Sequence, residues 1–432
     1  PQVQGFGAGR GEILSRVRRE PPRGRMPQVQ CRRPARREVL SGMRPEALLG
    51  VGDIPDALRP LLKQVSRSFY LSVAILPACL RGPISVAYLL ARAADTIADT
   101  RLIPRSDRLR YLDVFRAELD TPSTSGFPEI AGALAGLPAA QAAQAGLSAP
   151  LPVCPAPQRG TGRRSGAQAG PQRNPAERDL LARLPECFSV FRALLEEDRA
   201  RIRTLLFALT HGMQEDLRAF PGESHEDLAA LESQADLERY TYYAAGCVGE
   251  FWTDMTMAHC PGLFHWDATL MRRQGMRFGQ GLQMTNVLRD LAHDFQIGRC
   301  YLPRQDLHAL GLSVRDLLNP ATLEHLRPLL RELVHLTLGY YTDGWTYLLA
   351  VPPMEIRLRL ACAWPLLIGL RTLELVQRSP TLLDPHVTVK ISRPAVYAIV
   401  VRSTLLAWSN GGLGRYYRVL RNRIAAAQTF GS

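Results

Sequence analysis

From about residue 45 onward, apolar residues, chiefly Leu and Ala, recur in long runs at helical spacings. The alternation of a half-buried strand is scarce, so the pattern predicts an all-α chain. Two stretches break it. Residues 1–44 are dominated by Pro, Gly, Gln and Arg without a persistent apolar stripe, and residues 131–176 are rich in Ala, Gly, Pro and Gln. Both are expected to be disordered, the first as an extension and the second as an insertion between helices, since a long structureless loop is unusual inside a compact domain. The folded domain is therefore expected over 45–420, after Met43, with a tail at 421–432. No run qualifies as a membrane span: the most apolar one, LACAWPLLIGL at 360–370, is short and flanked by Arg357, Arg359 and Arg371.

The polar positions inside the apolar runs point to chemistry. Asp95 and Asp99 sit in VAYLLARAADTIAD, and Asp290 and Asp294 sit in NVLRDLAHDF about 200 residues later. Residues four apart share a helix face, with Cβ atoms about 5–6 Å apart, so each pair can present two carboxylates together. Two such faces opposed across a bundle would form a cage for hard cations. Mg²⁺ is usually held by one or two carboxylates plus substrate phosphates, which suits a substrate carrying diphosphate. Solvated helix faces are the plainer alternative, but carboxylates in apolar helices are seldom buried without partners. Around the second pair, Gln283, Asn286, Asp290 and Asp294 form one polar stripe beside Arg289, and such a stripe needs partners that metal-bridged phosphate oxygens would supply.

Five segments, in order, carry a resemblance: SRSF at 66–69, YLLARAADTIAD at 88–99, YTYYAAGCVG at 240–249, LQMTNVLRD at 282–290 and GRCYLP at 298–303. Together they resemble the motif set of the squalene/phytoene synthase family over roughly 55–120 and 175–410. ACAWPLLIGL at 361–370 is more similar to the squalene synthase branch, in its bacterial form, than to phytoene synthases. The resemblance implies an isoprenoid synthase-type helical bundle with a central active-site cavity. It also implies a prenyltransferase that joins two farnesyl diphosphates head to head into presqualene diphosphate and reduces it with NADPH to squalene. A phytoene, dehydrosqualene or presqualene diphosphate synthase is the alternative enzyme. A non-catalytic prenyl-lipid binding protein is the alternative of another class, and the two intact aspartate pairs speak against it.

Asp95, Asp99, Asp290 and Asp294 are thereby expected to be Mg²⁺ ligands. Arg67, Arg92, Arg289 and Arg299 match the family's basic positions, and guanidinium forks suit phosphate oxygens, although each could instead pair with a neighbouring aspartate. Ser66 and Ser68 could add neutral donors or act as a helix N-cap. Phe69, Tyr88, Tyr240 and Tyr243 match aromatic positions. The resemblance gives Tyr240 a part in proton removal as a cyclopropane closes, and Tyr243 either a direct role or core packing. Small residues at 244–249 would let helices approach closely or leave room for an isoprenoid tail. Asp216 matches an acidic family position. Glu250 and Asp254 form a third i,i+4 pair, expected as added polar lining, as partners of an active-site Arg, or as a solvated helix end.

Charge and composition narrow this picture further. The net charge of +13 is concentrated: residues 1–42 hold ten Arg against three Glu and 130–176 hold four Arg and no acid, leaving +2 elsewhere. No nucleic-acid-binding signature accompanies it, so nucleic acid is not an expected partner. Eight cysteines without C-x-x-C spacing suggest unpaired thiols and a reducing cytoplasm. His259, Cys260 and His265 are too few and too irregular for zinc. No dinucleotide fingerprint marks a NADPH site, since GQGLQM at 279–284 lies mid-helix and GFGAGRG lies in the N-terminal extension. The C-terminal anchor of eukaryotic squalene synthases is not expected here. GRYYRVLRNRIAAAQ could instead make a peripheral membrane contact as a basic amphipathic helix, or be an ordinary solvated helix.

Overall fold

Helix α3 (Ala78–Asp99) and helix α10 (Ala268–Gln296) are the two longest apolar runs that carry paired aspartates, and the other helices assemble around them. The computed structural model describes residues 54–66, 69–100, 104–120 and 175–429, all within one unit, Leu49–Ser432. The whole N-terminal extension, most of the 131–176 insertion, and Arg67 and Ser68 lie outside the described residues.

Ahead of α3 come α1 (Arg59–Ser66) and α2 (Phe69–Ile75). After it come α4 (Arg105–Asp120), α5 (Pro175–Ala182), α6 (Leu184–Arg192) and α7 (Glu196–Ala219). Helix α8 (Gln234–Thr241) starts at a capping box in which Ser233 and Asp236 satisfy each other's backbone amides. It leads through a π-helical segment (Tyr242–Gly246) into α9 (Cys247–His259). Beyond α10 follow α11 (Arg304–Ala309), α12 (Leu323–Ala350), α13 (Ile356–Arg378), α14 (Arg393–Leu406) and α15 (Asn410–Thr429). Among the described residues the extended structure is a two-residue parallel bridge, β1 (Ala229–Ala230) with β2 (Arg299–Cys300). The chain is all-α, as its periodicity predicts.

Helix α10 is the hub, packing on α9, the π segment, α12 and α13, while α3 packs on α4, α6 and α7. Small residues allow the closest of these contacts. A Cβ on Gly249 would fall 1.9 Å from the carbonyl oxygen of Gly275, and one on Gly279 would fall 2.1 Å from that of Ala245. The small residues of 244–249 therefore serve close backbone approach of α9 and the π segment to α10.

Two expectations change. Helix α13 extends on both sides of the 360–370 run, so its 23 residues are long and apolar enough to cross a membrane. It is nonetheless a core helix: Leu366, Leu367, Leu370 and Leu373 are fully buried, and Arg359 is buried with its guanidinium on the Val351 carbonyl (2.6 Å) and the Asn410 side chain (2.6 Å). At the C-terminus, α15 continues to Thr429 through residues expected to be a tail, and Ile424 is buried.

Candidate active site

Asp95 and Asp99 from α3, Asp290 and Asp294 from α10 and Asp216 from α7 line one cavity. Both i,i+4 pairs thus point to the same space from different helices. Leu209, Met213 and Leu217 of α7 and Val287 of α10 add apolar surface to the same cavity, so it offers both carboxylates and hydrocarbon-compatible lining. Counting its open mouth, the cavity comprises about 910 Å³.

Arg299 is the basic side chain among those lining this cavity. Its placement follows from the backbone after α10. Gly298 adopts φ +83°, a conformation that a side chain would strain, and a Cβ there would also lie 2.9 Å from the Ser224 carbonyl. The reversed chain then bonds to β1, and Arg299 reaches Asp216 (3.1 Å) and Asp99 (3.7 Å). Residues i and i+2 of extended chain point to the same side, so Tyr301 follows Arg299 and donates its hydroxyl to Asp216 Oδ1 at 3.1 Å. Asp216 is thereby held from two sides.

Burial and mutual repulsion dominate the electrostatics. Burial, helped by Asp99 and Glu177 and opposed by Arg92, pushes Asp95 up to about 7. Burial and the neighbouring Asp290 carry Asp294 well above the usual carboxylate range, and burial raises Asp216 against the pull of Arg299. Five carboxylates around one facing guanidinium leave this cavity short of positive charge.

The tyrosines are positioned by the π segment. Inserting a residue into the helical ladder re-aims the side chains around it. Tyr240, at the end of α8, stacks on Tyr301 with centroids 4.1 Å apart and accepts a hydrogen bond from Gln283 Nε2 at 2.9 Å. Burial and then Asp216 raise its phenol above the ordinary range, so it is neutral at physiological pH. Tyr243 also lines the cavity, edge-on to His211 (4.9 Å), and a Cβ on Gly212 would collide with it at 2.4 Å. Asn286 lines the cavity too and donates weakly to Gln283 (3.4 Å).

The other expected residues with described side chains do not line the cavity. The guanidinium of Arg92 is buried and forks between Asp95 and Glu177, and both carboxylates keep it charged despite its burial. Arg289 pairs with Asp290 (Nε to Oδ1 2.8 Å). Ser66 donates to the carbonyl of Leu62 within its own helix, and Tyr88 donates to the Val65 carbonyl at 3.4 Å, tying α3 to α1. Phe69 opens α2, and its side chain lies outside the described residues. Glu250 accepts from the Tyr242 hydroxyl (3.0 Å) and Asp254 from Arg272 (2.5 Å), so this third pair serves the α9 surface and neither member lines the cavity. His259 pairs with Asp198 (2.9 Å).

Sequence reasoning singled out neither Tyr301 nor Glu177. Tyr301 was legible in principle, two residues past Arg299 in an extended segment. Glu177 had no signal, being 85 residues from the arginine it holds.

A sequence-family model for squalene/phytoene synthases matches residues 62–395, a range that includes every cavity residue named above. The chain belongs to the squalene/phytoene synthase family. It is with that a member of a family of prenyltransferases. It is 24% identical over 372 residues to the squalene synthase of Eremothecium gossypii, covering 85% of this chain and 72% of that one. It is 25% identical over 362 residues to squalene synthase ERG9 of Candida albicans (80% and 66%). Against the phytoene synthase of Mycobacterium tuberculosis it is 25% identical over 324 residues (74% and 80%). The chain thus spans about two thirds of the length of these fungal relatives. The solved complex of TcSQS with the ligand BPH1237 has the same fold, with TM-score 0.61 at 21% identity over 86% of this chain and 98% of that one.

Proposed function

We propose that the enzyme joins two farnesyl diphosphates head to head into presqualene diphosphate and reduces this, with NADPH, to squalene. The observation that carries the reading is the convergence of Asp95/Asp99 and Asp290/Asp294 on one cavity with an apolar wall.

Among the described residues no three His, Cys, Asp or Glu side chains group closely enough to hold an ion alone. Magnesium suits such a site, because its remaining ligands are ordinarily waters and substrate phosphates. Buried carboxylates pushed above their usual range are the donors such an ion would satisfy. Asp95, Asp99, Asp290 and Asp294 would hold it, and when bound it neutralises and orients the departing diphosphate. The described residues do not offer a comparable cradle for NADPH. GQGLQM lies inside α10, where Gly279 serves helix contact, so the reductant rests on kinship with squalene synthases.

Arg299 would offer a guanidinium to phosphate oxygens in the cavity. Leu209, Met213, Leu217 and Val287 keep water from the allylic cation left by ionisation. The neutral Tyr240 hydroxyl would accept the proton lost as the cyclopropane closes. Tyr301, stacked on Tyr240, donates its hydroxyl to Asp216, so Asp216, a carboxylate of raised proton affinity, would be the nearby group to take up a proton from this pair. Tyr240→Phe is accordingly expected to lower turnover about 100-fold with little change in KM, measured as diphosphate release. A fall in substrate affinity with turnover preserved would remove this role.

The product decides the branch. Purified protein with farnesyl diphosphate and Mg²⁺, analysed by gas chromatography–mass spectrometry, is expected to give squalene only when NADPH is present. The similarity to a phytoene synthase at 25% identity favours one second reading. Dehydrosqualene regardless of NADPH, or phytoene from geranylgeranyl diphosphate, would establish it instead.

A further inference from the structure

Helix α14 is apolar on both faces, yet only one is packed. Ile399, Ser403 and Ala407 are buried, the helix packing on α13 and α15. On the opposite side Tyr397, Val401, Leu405 and Trp408 follow one another at spacings of four, four and three. They are 54%, 59%, 75% and 59% exposed. The stripe runs about 16 Å along the helix and onto the turn after it. A helix that is hydrophobic all round is normally covered on all sides, and six of the ten exposed large apolar side chains among the described residues fall between Val387 and Val419.

Two further exposed apolar side chains sit on turns linked to the start of α15. Arg359 bonds both the Val351 carbonyl and Asn410, which ties the 351–355 turn to the start of α15, and Gly262 lies against Glu355. Those two turns carry Met354 and Phe264, 80% and 86% exposed.

Charge identifies what covers the stripe. From residue 385 to the end the sequence has Lys390, Arg393, Arg402, Arg415, Arg418, Arg421 and Arg423 and no Asp or Glu. All seven are exposed, and none of the six arginines pairs with a carboxylate among the described residues. A second copy of this face would oppose like charges, as would residues 1–42 with their net charge of +7. A nucleic acid would answer the charge but not the aliphatic stripe. Tyr and Trp beside Leu and Val, ringed by Arg, are the side chains that settle at a headgroup boundary.

We propose that the exposed face of α14, with the basic side of α15 beside it, is a peripheral docking surface for an anionic lipid bilayer. It differs from the amphipathic contact expected of α15 itself, because Leu413, Tyr416, Tyr417, Leu420 and Ile424 of that helix are buried in the bundle. Basic residues steer the protein to the membrane, and Val401, Leu405 and Trp408 enter it. The proposal is independent of which prenyl product the enzyme makes.

The test is flotation of the full chain with vesicles of phosphatidylcholine alone or mixed with phosphatidylglycerol. The protein is expected to float with the mixed vesicles, to stay largely in solution with phosphatidylcholine, and to be released when salt rises from about 0.1 M to about 1 M. The Leu405→Ser/Trp408→Ser variant is expected to bind about tenfold or more weakly while keeping wild-type turnover on detergent-dispersed substrate. Arg415→Gln/Arg418→Gln should weaken binding only at low salt. No flotation of wild type would overturn the proposal, as would unchanged flotation of the serine variant, which would put any lipid contact elsewhere. Equally fatal would be sedimentation showing a dimer that the serine variant abolishes, without lipid binding.

Discussion

Asp294→Asn is expected to lower turnover by about 100- to 1000-fold and at the same time to raise the thermal stability of the metal-free protein. The loss follows from removing a carboxylate that, on the proposed function, would help hold an ion and diphosphate. The gain follows from relieving a charge that burial and Asp290 disfavour. The same imbalance predicts a pH trend. Asp95 has a proton affinity in the folded state raised from 3.8 to about 7, so the folded protein binds more protons than the unfolded one between those values. Its contribution is therefore fully present below about pH 4 and is lost as pH rises through about 7. Scanning calorimetry in a chelator should show the midpoint falling between about pH 4 and about 7, less steeply for Asp294→Asn, and flattening when Mg²⁺ and inorganic diphosphate are added. A variant less stable than wild type under metal-free conditions would contradict this account of the cavity.

Gly249→Ala is expected to cost about 3 kcal/mol of stability, the upper end of what overpacking usually costs. The added methyl would meet the Gly275 carbonyl, and backbone atoms of two packed helices cannot step aside as a side-chain tip can. Because α9 and α10 carry the π segment and Asp290/Asp294 respectively, a shift between them should also reduce turnover in the fraction that remains folded. Gly339→Ala is the matched control. That glycine is exposed inside α12 with nothing within 4 Å of its added Cβ, so the same change should stabilise by about 0.5–1 kcal/mol. Denaturant melts of the two variants should move in opposite directions. Equal small shifts would mean that the α9–α10 contact is looser than the structure has it.

Helical class, the two carboxylate pairs and the stripe of Gln283, Asn286, Asp290 and Asp294 were readable from spacing alone, because which side chains share one face of one helix is a local property of the backbone. Family membership was readable too, since it rests on ordered motifs. What spacing could not reveal is which faces meet. Arg92 and Arg289 were read as reaching phosphate or pairing with a neighbouring aspartate; packing pairs them with Asp95 and Asp290 and adds Glu177, a partner that spacing could not supply. Glu250 and Asp254 look locally like the two aspartate pairs of the cavity, yet they bond to Tyr242 and Arg272 and do not line it. Tyr301 joined the site through a left-handed glycine and a two-residue bridge, features too short to leave a periodic signal. The apolar run at 360–370 read the same whether core or surface, and only its neighbours made it core, just as the lack of neighbours left the α14 stripe bare. Hydrophobicity along a chain says that a side chain needs cover. Contacts between residues far apart in sequence decide whether the fold supplies it.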